Sequence, residues 1–180
     1  MEPLDKTQRA QRKNALKHVK KFRTCLDIGS NIGLWTSDLA QEFNKVICFE
    51  PNKKFIETFH KNIQNKNVIL HNCGLSNRQH TAYQIQTSTV MLDKPGNIEC
   101  RTLDSFNLHS IDFIKIDVDG FEAHVLAGAL ETLKNNEAVL NIEMERLKRS
   151  KVCIKVRKML RSVGYYWVNR IRSDEVWMKS

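Results

Sequence analysis

The chain has 180 residues, of which 41% are hydrophobic and 27% are charged, so it is long enough for one domain with a buried core. These values argue against an intrinsically disordered chain. Since no apolar run approaches the ~20 residues that span a bilayer, we also predict no membrane segment. The net charge of +9 is uneven: residues 1–23 carry +6, residues 144–180 carry +8, and residues 24–143 carry −5. Basic ends of this kind indicate either solvated helix faces or an anionic partner.

Short apolar strands alternate with longer amphipathic stretches along the chain. A basic helical extension is predicted over residues 1–22. Strands are predicted over residues 23–28, 45–50, 67–72, 112–117, 137–143, 165–170 and 174–178. Helices are predicted over residues 33–43, 51–65, 121–134 and 148–163. Alternating segments and the turn at 94–97 predict a β-rich insertion within residues 73–106.

This alternation predicts the fold class. Parallel strands that are buried on both faces form continuous apolar runs, and helices cover both faces of their sheet. We therefore expect an α/β fold with a mostly parallel seven-stranded sheet and the β-rich insertion between strands 3 and 4. The extension at 1–22 and the core at 23–180 are expected to form a single domain. Such sheets bind ligands at the carboxyl ends of their strands, so the polar residues there are candidates for a site.

The five cysteines have neither the even count of a disulfide framework nor the close spacing of a zinc cluster. Cys25 and Cys48 lie in apolar runs, where cysteine packs as a small hydrophobic residue. The N-terminal segment lacks the apolar middle of a signal peptide. We therefore predict reduced thiols and a cytoplasmic protein.

The first predicted strand ends in the run LDIGSNIG, which contains Asp27, Gly29, Ser30, Asn31 and Gly33. Gly29 permits a tight turn and the close approach of a ligand, and Gly33 lets the helix start against the strand. The free amide groups at a helix start favour a negatively charged ligand group. Asp27 would repel a pyrophosphate and attract a cationic group instead. A glycine-rich turn alone can also be purely structural in α/β folds.

The second predicted strand ends at Glu50, which precedes Pro51 and follows Asp27 by 23 residues. An acidic residue at about 20 residues beyond such glycines can bind both ribose hydroxyls, the alternative being a surface or capping glutamate. A nicotinamide cofactor needs Gly-x-Gly-x-x-Gly, whereas the run here lacks the middle glycine. S-adenosylmethionine has no phosphate and carries cationic groups and a ribose. We therefore predict S-adenosylmethionine as the cofactor.

Six segments of the sequence resemble, in order, the FkbM family of methyltransferases. They are DIGSNIG, CFEPN, HNCGLSN, TLDSF, DFIKIDVDGFEAHVLAGA and VLNIE, between about residues 24 and 143. The resemblance implies a Rossmann-like class I methyltransferase fold and, usually, methyl transfer to a hydroxyl. Asp119 stands where members more often have Glu, and we expect little consequence because both are carboxylates. The basic ends lie outside the family pattern.

Three further positions are expected at the site. By position and by the resemblance, the loop with Cys73 and Gly74 should border the adenine, although an ordinary strand-ending turn is an equal alternative. Asp117 should face the methionine end of the cofactor or the acceptor. With Glu143 at the end of the next strand, Asp117 could polarise a hydroxyl, so these carboxylates are the predicted catalytic residues. They could also hold a divalent cation, but no metal site is predicted.

The leading hypothesis is an S-adenosylmethionine-dependent O-methyltransferase that acts on a hydroxyl of a small molecule, sugar or glycan. One alternative is an RNA or other nucleic-acid methyltransferase whose basic ends hold the backbone. Another is a non-catalytic protein that binds S-adenosylmethionine. The sequence has no Asp-Pro-Pro-Tyr, Asn-Pro-Pro-Tyr or Pro-Cys run, which argues against the common adenine N6 and cytosine C5 methylations. Whether the acceptor is anionic stays open.

Overall fold

A computed structural model of the chain describes residues 6–84, 91–92, 94–144 and 151–179. The first five residues of the predicted N-terminal extension and the first three of the predicted helix at 148–163 lie outside the described residues. No helix within the described ranges has both the length and the apolar character needed to cross a membrane.

Helices and strands alternate through the described chain. The strands are β1 (Thr24–Ile28), β2 (Lys45–Phe49), β3 (Val68–His71), β4 (Gly74–Leu75), β5 (His80–Gln84), β6 (Met91–Leu92), β7 (Ile98–Arg101), β8 (Ile111–Ile116), β9 (Val139–Glu143), β10 (Tyr165–Ile171) and β11 (Asp174–Lys179). The helices are α1 (Lys6–Leu16), α2 (Leu34–Glu42), α3 (Lys53–Asn62), α4 (Glu122–Ala127), α5 (Leu130–Asn135) and α6 (Lys151–Ser162). A short 3-10 helix spans Leu103–Phe106.

The main sheet has seven strands in the order β10-β11-β9-β8-β1-β2-β3. The neighbours from β9 to β3 pair in parallel, and β11 runs antiparallel to both β9 and β10. The mostly parallel seven-stranded sheet is therefore confirmed, and each predicted strand end lies within two residues of the observed one. This order brings the carboxyl ends of β1, β2 and β8 side by side.

The predicted β-rich insertion forms a second, smaller sheet with the strand order β4-β7-β5-β6. It lies in the chain between β3 and β8, as expected. One short strand of this sheet, β4, begins directly after β3 and so starts near the carboxyl ends of the main sheet.

Hydrophobic residues on the two faces of the main sheet form separate clusters. One cluster joins strand residues such as Cys48 to α1, α2 and α3, where Leu39 and Phe59 are buried. The other joins alternate strand residues to α4, α5 and α6, where Leu126 and Leu160 are fully buried. Since successive strand residues point to opposite faces, helices cover both faces of the sheet, as predicted.

The single helix predicted over 121–134 is wrong, because the structure has two helices there, α4 and α5. The break lies at Gly128, where an added Cβ would come within 2.0 Å of the backbone oxygen of Ser76. The carboxylate of Asp104 starts α5 by accepting hydrogen bonds from the backbone amides of Glu131 (3.2 Å) and Thr132 (2.7 Å). A second helix therefore begins where the sequence pattern alone would continue the first.

Helix α3 starts two residues later than predicted. Asn52, rather than Pro51, marks its beginning, because the Asn52 side chain accepts a hydrogen bond of 3.0 Å from the amide of Lys54. This is the usual role of asparagine at a helix N-cap. Pro51 is thereby left in the loop after β2, where it faces the cleft described below.

Candidate functional site

A cleft with a volume of about 200 Å³ opens at the carboxyl ends of β1, β2 and β8. Eight of the residues that the sequence singled out line this cleft: Gly29, Ser30, Asn31, Glu50, Pro51, Cys73, Gly74 and Asp117. The cleft lies where ligands bind in open α/β sheets. The structure therefore brings most of the predicted site residues to one cavity.

The turn after β1 needs both of its glycines. Gly29 has φ +80°, and an added Cβ would lie 1.9 Å from the backbone oxygen of Asp117. Gly33 has φ +89°, and an added Cβ would lie 2.7 Å from the side chain of Ile63. Gly29 thus permits the turn to lie against the end of β8, and Gly33 permits α3 to pack against the start of α2.

The amide groups of this turn donate to acceptors within the protein, which differs from the sequence interpretation of free amides. Those of Gly29 and Ser30 donate to the backbone oxygen of Phe49, at 3.0 and 3.2 Å. The amide of Asn31 donates to Glu50, and that of Ile32 donates to the Asn31 side chain at 2.7 Å. The turn therefore shapes the cleft with its backbone, while its amides hold the loop together.

Glu50 is 4% exposed and contributes to both the cleft and the loops beside it. Its Oε2 accepts a hydrogen bond of 2.9 Å from the amide of Asn31, and its Oε1 accepts one of 2.9 Å from the amide of Asn52. Burial raises the pKa of Glu50, although these amide hydrogen bonds oppose the rise. The same carboxylate thus faces the cavity and ties the glycine turn to the start of α3.

Asp27 does not line the cleft, since its side chain is fully buried on the α2 side of the sheet. Its Oδ2 accepts a hydrogen bond of 2.7 Å from the Thr36 hydroxyl, and its Oδ1 lies 3.4 Å from the Nζ of Lys115. The positive charge beside Asp27 is therefore the ammonium group of Lys115, where the sequence had predicted a cationic group of a ligand. Gly33 and Glu143 also lie outside the residues that line the cleft.

Lys115 lines the cleft, and sequence reasoning missed it. It lies in β8, is 4% exposed, and places its Nζ 3.2 Å from the Gly29 backbone oxygen and 3.4 Å from the Asp117 Oδ2. Burial alone would lower the pKa of Lys115, but the carboxylates of Asp117 and Asp27 outweigh burial and raise it. The available signal was a lysine between two isoleucines in the predicted strand sequence DFIKID.

Two carboxyl groups meet at the ends of β8 and β9. The side chain of Asp117 is 41% exposed and lines the cleft. Burial raises the pKa of Glu143 to about 8, and the nearby Asp117 carboxylate, a hydrogen bond to it, Asp174 and Asp119 act in the same direction. The Glu143 carboxyl is therefore mostly protonated at neutral pH.

The loop after β8 also carries Asp119 and Glu122. Asp119 lines the cleft in a left-handed backbone conformation, with φ +52°. Glu122 is buried at the start of α4 and accepts hydrogen bonds from the amides of Val118 (3.3 Å) and Gly120 (3.0 Å). Glu122 therefore fixes the loop that places Asp117 and Asp119, while burial raises its own pKa.

The side of the cleft expected to border an adenine is formed by β4. Cys73, Gly74 and Leu75 line it, and burial raises the pKa of the Cys73 thiol to about 11. This thiol is therefore protonated at neutral pH and acts as an apolar surface. All five cysteines are buried and free.

Two glutamines reach the cleft from outside the strand ends. Gln8 comes from α1, and the buried Gln84 comes from β5 of the insertion. No motif marks either of them, because their position depends on how the extension and the insertion fold over the cleft. Their amides supply both donors and acceptors at its edge.

Within the described ranges, no group of three or more His, Cys, Asp or Glu side chains is arranged to hold a metal ion. His71 packs its ring against Phe49 and Phe106, at centroid distances of 5.2 and 4.9 Å. His124 stacks on Phe121 at 4.2 Å. Neither histidine is among the residues that line the cleft. The titratable side chains that do line it, within the described part of the chain, are those of Glu50, Cys73, Lys115, Asp117 and Asp119.

The sequence and fold are similar to those of known methyltransferases. Residues 27–166 match the methyltransferase FkbM domain, whereas no curated protein sequence matches the chain. An FkbM methyltransferase from Methylobacillus flagellatus KT has a similar structure, with a TM-score of 0.66 and 17% identity over 87% of this chain. The match covers 43% of that protein, so the chain spans less than half of its length.

Two further solved structures match nearly the whole chain. SMU.1697c from Streptococcus mutans, assigned to the methyltransferases and solved in complex with SAH, has a TM-score of 0.60 and 13% identity over 97% of both chains. An rRNA methylase from Streptococcus thermophilus has a TM-score of 0.63 and 14% identity over 99% of both chains. At such low identity these likenesses show the fold and leave the acceptor open.

Proposed function

Since the chain belongs to the FkbM family of methyltransferases, we propose that it transfers a methyl group from S-adenosylmethionine to a hydroxyl of a small molecule, sugar or glycan. The observation that carries this proposal is one cavity that joins the glycine turn, the buried Glu50 and the half-exposed Asp117.

The residues of the cleft fit S-adenosylmethionine in chemical character. Gly29 lines the cleft with backbone alone, and the Ser30 hydroxyl has no hydrogen-bond partner within the described part of the chain. We infer that Glu50 accepts hydrogen bonds from the ribose hydroxyls and that Cys73, Gly74 and Leu75 border the adenine. The bound molecule supplies an activated methyl group on a positively charged sulfur, which suits a cleft rich in carboxylates.

Methylation of a hydroxyl also requires removal of its proton. Asp117 lines the cleft beside Glu143, which is mostly protonated at neutral pH, so we infer that Asp117 accepts the acceptor's proton while Glu143 supports it. Alignment of the reacting groups can supply roughly 7–11 kcal/mol, so the walls of the cleft carry much of the catalytic task. Gln8 and Gln84 can hydrogen-bond further hydroxyls of the acceptor.

The charges of the cleft favour a neutral acceptor. Among the described residues, three carboxylates line it, those of Glu50, Asp117 and Asp119, against the single cation of Lys115. An acceptor rich in phosphate would be repelled at this short range. A hydroxylated, uncharged molecule meets no such penalty.

A second candidate function is methylation of a nucleic acid, and a basic surface groove favours it. A groove of about 290 Å³ between α6 and β10 is lined by Arg157, Arg161, Arg170 and Trp167, among others, and Trp167 is 49% exposed. Arginines beside an exposed aromatic ring can bind single-stranded nucleic acid. However, Arg157 and Arg170 also pair with the buried Glu175, which gives both of them a structural role.

Two linked measurements test the proposal. Calorimetry should show binding of S-adenosylhomocysteine, the expected product. Transfer of a labelled methyl group should then appear in a pool of hydroxylated small molecules, sugars or glycans, with an ether product by mass spectrometry. Label in RNA alone would support the second candidate, binding without any transfer would indicate a non-catalytic protein, and no binding would overturn the proposal.

A further inference from the structure

Lys115 is a buried cation whose contacts join the glycine turn to Asp117, one of the two predicted catalytic carboxyls. Its Nζ lies 3.4 Å from Asp27, 3.4 Å from Asp117 and 3.2 Å from the Gly29 backbone oxygen. The ring of Trp35 covers it, with the Nζ 5.6 Å from the ring centroid. These contacts fix the ammonium group in place and point it at one member of the Asp117–Glu143 pair.

The contacts of Lys115 make that pair asymmetric. Within the described part of the chain, its ion pairs are with Asp27 and Asp117, and none is with Glu143. A nearby cation favours the charged form of a carboxyl, and Glu143 faces Asp117, Asp174 and Asp119, which favour its neutral form. Two carboxyls in different environments take different acid and base roles.

We propose that Lys115 is a positioning residue: its ion pair holds Asp117 in place as the charged proton acceptor, while Glu143, which has no such partner among the described residues, keeps its proton. This inference rests on the proposed function, because it assigns roles within the proposed methyl transfer. In that step the acceptor's hydroxyl proton passes to Asp117 and its oxygen bonds to the methyl carbon. The bond between methyl and sulfur breaks, and its electron pair stays on the sulfur.

The charged groups around Lys115 on other strands support the same arrangement. Asp27 on β1 and Asp174 on β11 both help to keep the ammonium charged, and Lys115 in turn favours the charged form of Glu50, directly after β2. Asp174 is itself buried and accepts hydrogen bonds from Asn141 (2.6 Å) and Gln11 (2.7 Å). The cation is therefore built into a row of polar groups that crosses the sheet.

A direct test follows the carboxyl carbons of Asp117 and Glu143 by nuclear magnetic resonance in labelled protein, with assignments from Asp117→Asn and Glu143→Gln. In the native protein the two carbons should titrate in separate pH ranges, with Glu143 at about pH 8. In Lys115→Met the two pH ranges should move closer together, because Asp117 loses the cation that favours its charged form. Lys115→Arg should restore the native separation, which a purely structural role would not require.

Enzyme kinetics give the second readout. The acidic limb of the kcat/KM profile should move to higher pH in Lys115→Met by about one unit, which is a tenfold loss at the acidic end. Thr36→Val is the matched control, because Thr36 contacts Asp27 but has no hydrogen bond to Asp117 within the described residues. That variant should keep the separate titration of the two carboxyls.

The possible outcomes separate this inference from the proposed function. If the native protein fails to bind S-adenosylhomocysteine, the proposed function is wrong, irrespective of how Asp117 and Glu143 titrate. If it is active and Lys115→Met keeps the native titration, the inference is overturned. Since Lys115→Met leaves two carboxylates near each other without a cation, it can unfold; the double variant Asp27→Asn/Lys115→Met then replaces it, compared with Asp27→Asn, and decides in the same way.

Discussion

Glu50 combines a proposed ribose contact with a structural one, and the two can be separated. Its carboxylate faces the cleft while both oxygens accept backbone hydrogen bonds of 2.9 Å. We expect Glu50→Gln to weaken binding of S-adenosylmethionine by about 1.5–3 kcal/mol, the scale of a hydrogen bond to a charged group. Calorimetry on the folded variant measures this loss.

The control for this prediction is Glu57→Gln, an exposed glutamate on α3. It should bind S-adenosylmethionine as the native chain does. If Glu50→Gln matches the control, Glu50 does not contact the ribose. If Glu50→Gln loses affinity and its melting temperature also falls strongly, the lost affinity comes from disruption of the loops that Glu50 holds and not from a lost ligand contact.

Asp117 and Asp119 lie two residues apart and both line the cleft, but we expect different roles. Asp117→Asn should lower turnover by about 10²-fold or more, because a positioned proton acceptor contributes on that scale. Asp119→Asn should change it by less than about threefold, since asparagine also tolerates the left-handed backbone found there. Single-turnover kinetics at saturating cofactor compare the two, and equal small effects would remove Asp117 from catalysis.

At the scale of elements, the break between α4 and α5 depends on one carboxylate in the preceding 3-10 helix. Asp104 accepts hydrogen bonds from the Thr132 amide (2.7 Å), the Thr132 hydroxyl (2.7 Å) and the Glu131 amide (3.2 Å). We expect Asp104→Ala to lower the free energy of unfolding by about 1–2 kcal/mol, as the loss of a helix cap does. Urea unfolding followed by circular dichroism measures the change.

Asp104→Asn is the matched variant, because its side chain keeps one oxygen to cap α5. It should lose clearly less stability than Asp104→Ala. Ser105→Ala, at an exposed neighbour that bonds only within its own turn, should change little. A loss in Ser105→Ala as large as that in Asp104→Ala would show that the 3-10 helix, and not the cap, sets the stability.

The main sheet could be predicted from the sequence because its buried parallel strands are continuous apolar runs. The glycine turn and Glu50 could be found because their spacing reflects a strand, a turn and a helix that are close in the chain. The break at Gly128 could not, because the Asp104 carboxylate that starts α5 lies in an earlier segment of the chain. Lys115 was missed for the same reason, since its partner Asp27 lies on another strand.

At the scale of the whole molecule, the two basic segments lie on opposite faces of the main sheet. Helix α1 packs in the cluster with α2 and α3, and α6 packs in the cluster with α4 and α5. Part of their charge is also neutralised: Arg12 on α1 lies 3.0 Å from Asp38 and 3.5 Å from Glu42, and Arg157 on α6 pairs with Glu175. The described parts of these segments therefore do not combine into one continuous basic surface around the cleft.

This distribution of charge predicts how salt affects the acceptor. For a neutral acceptor, the KM should change by less than about threefold between roughly 50 and 500 mM salt, because screening acts on exposed charges. Charge reversal of the exposed Lys155, Lys158 and Arg161 on α6 should leave it unchanged, as should reversal of Lys13, Lys17 and Lys20 at the other end. Affinity for S-adenosylmethionine serves as the internal control in each variant.

A polyanionic acceptor would instead lose affinity as salt is added, with a slope of log affinity against log salt concentration of about −0.9 for each duplex phosphate contacted. A slope of that size that is abolished in the α6 variant alone would identify the groove beside α6 as a nucleic-acid surface and would reject the neutral acceptor.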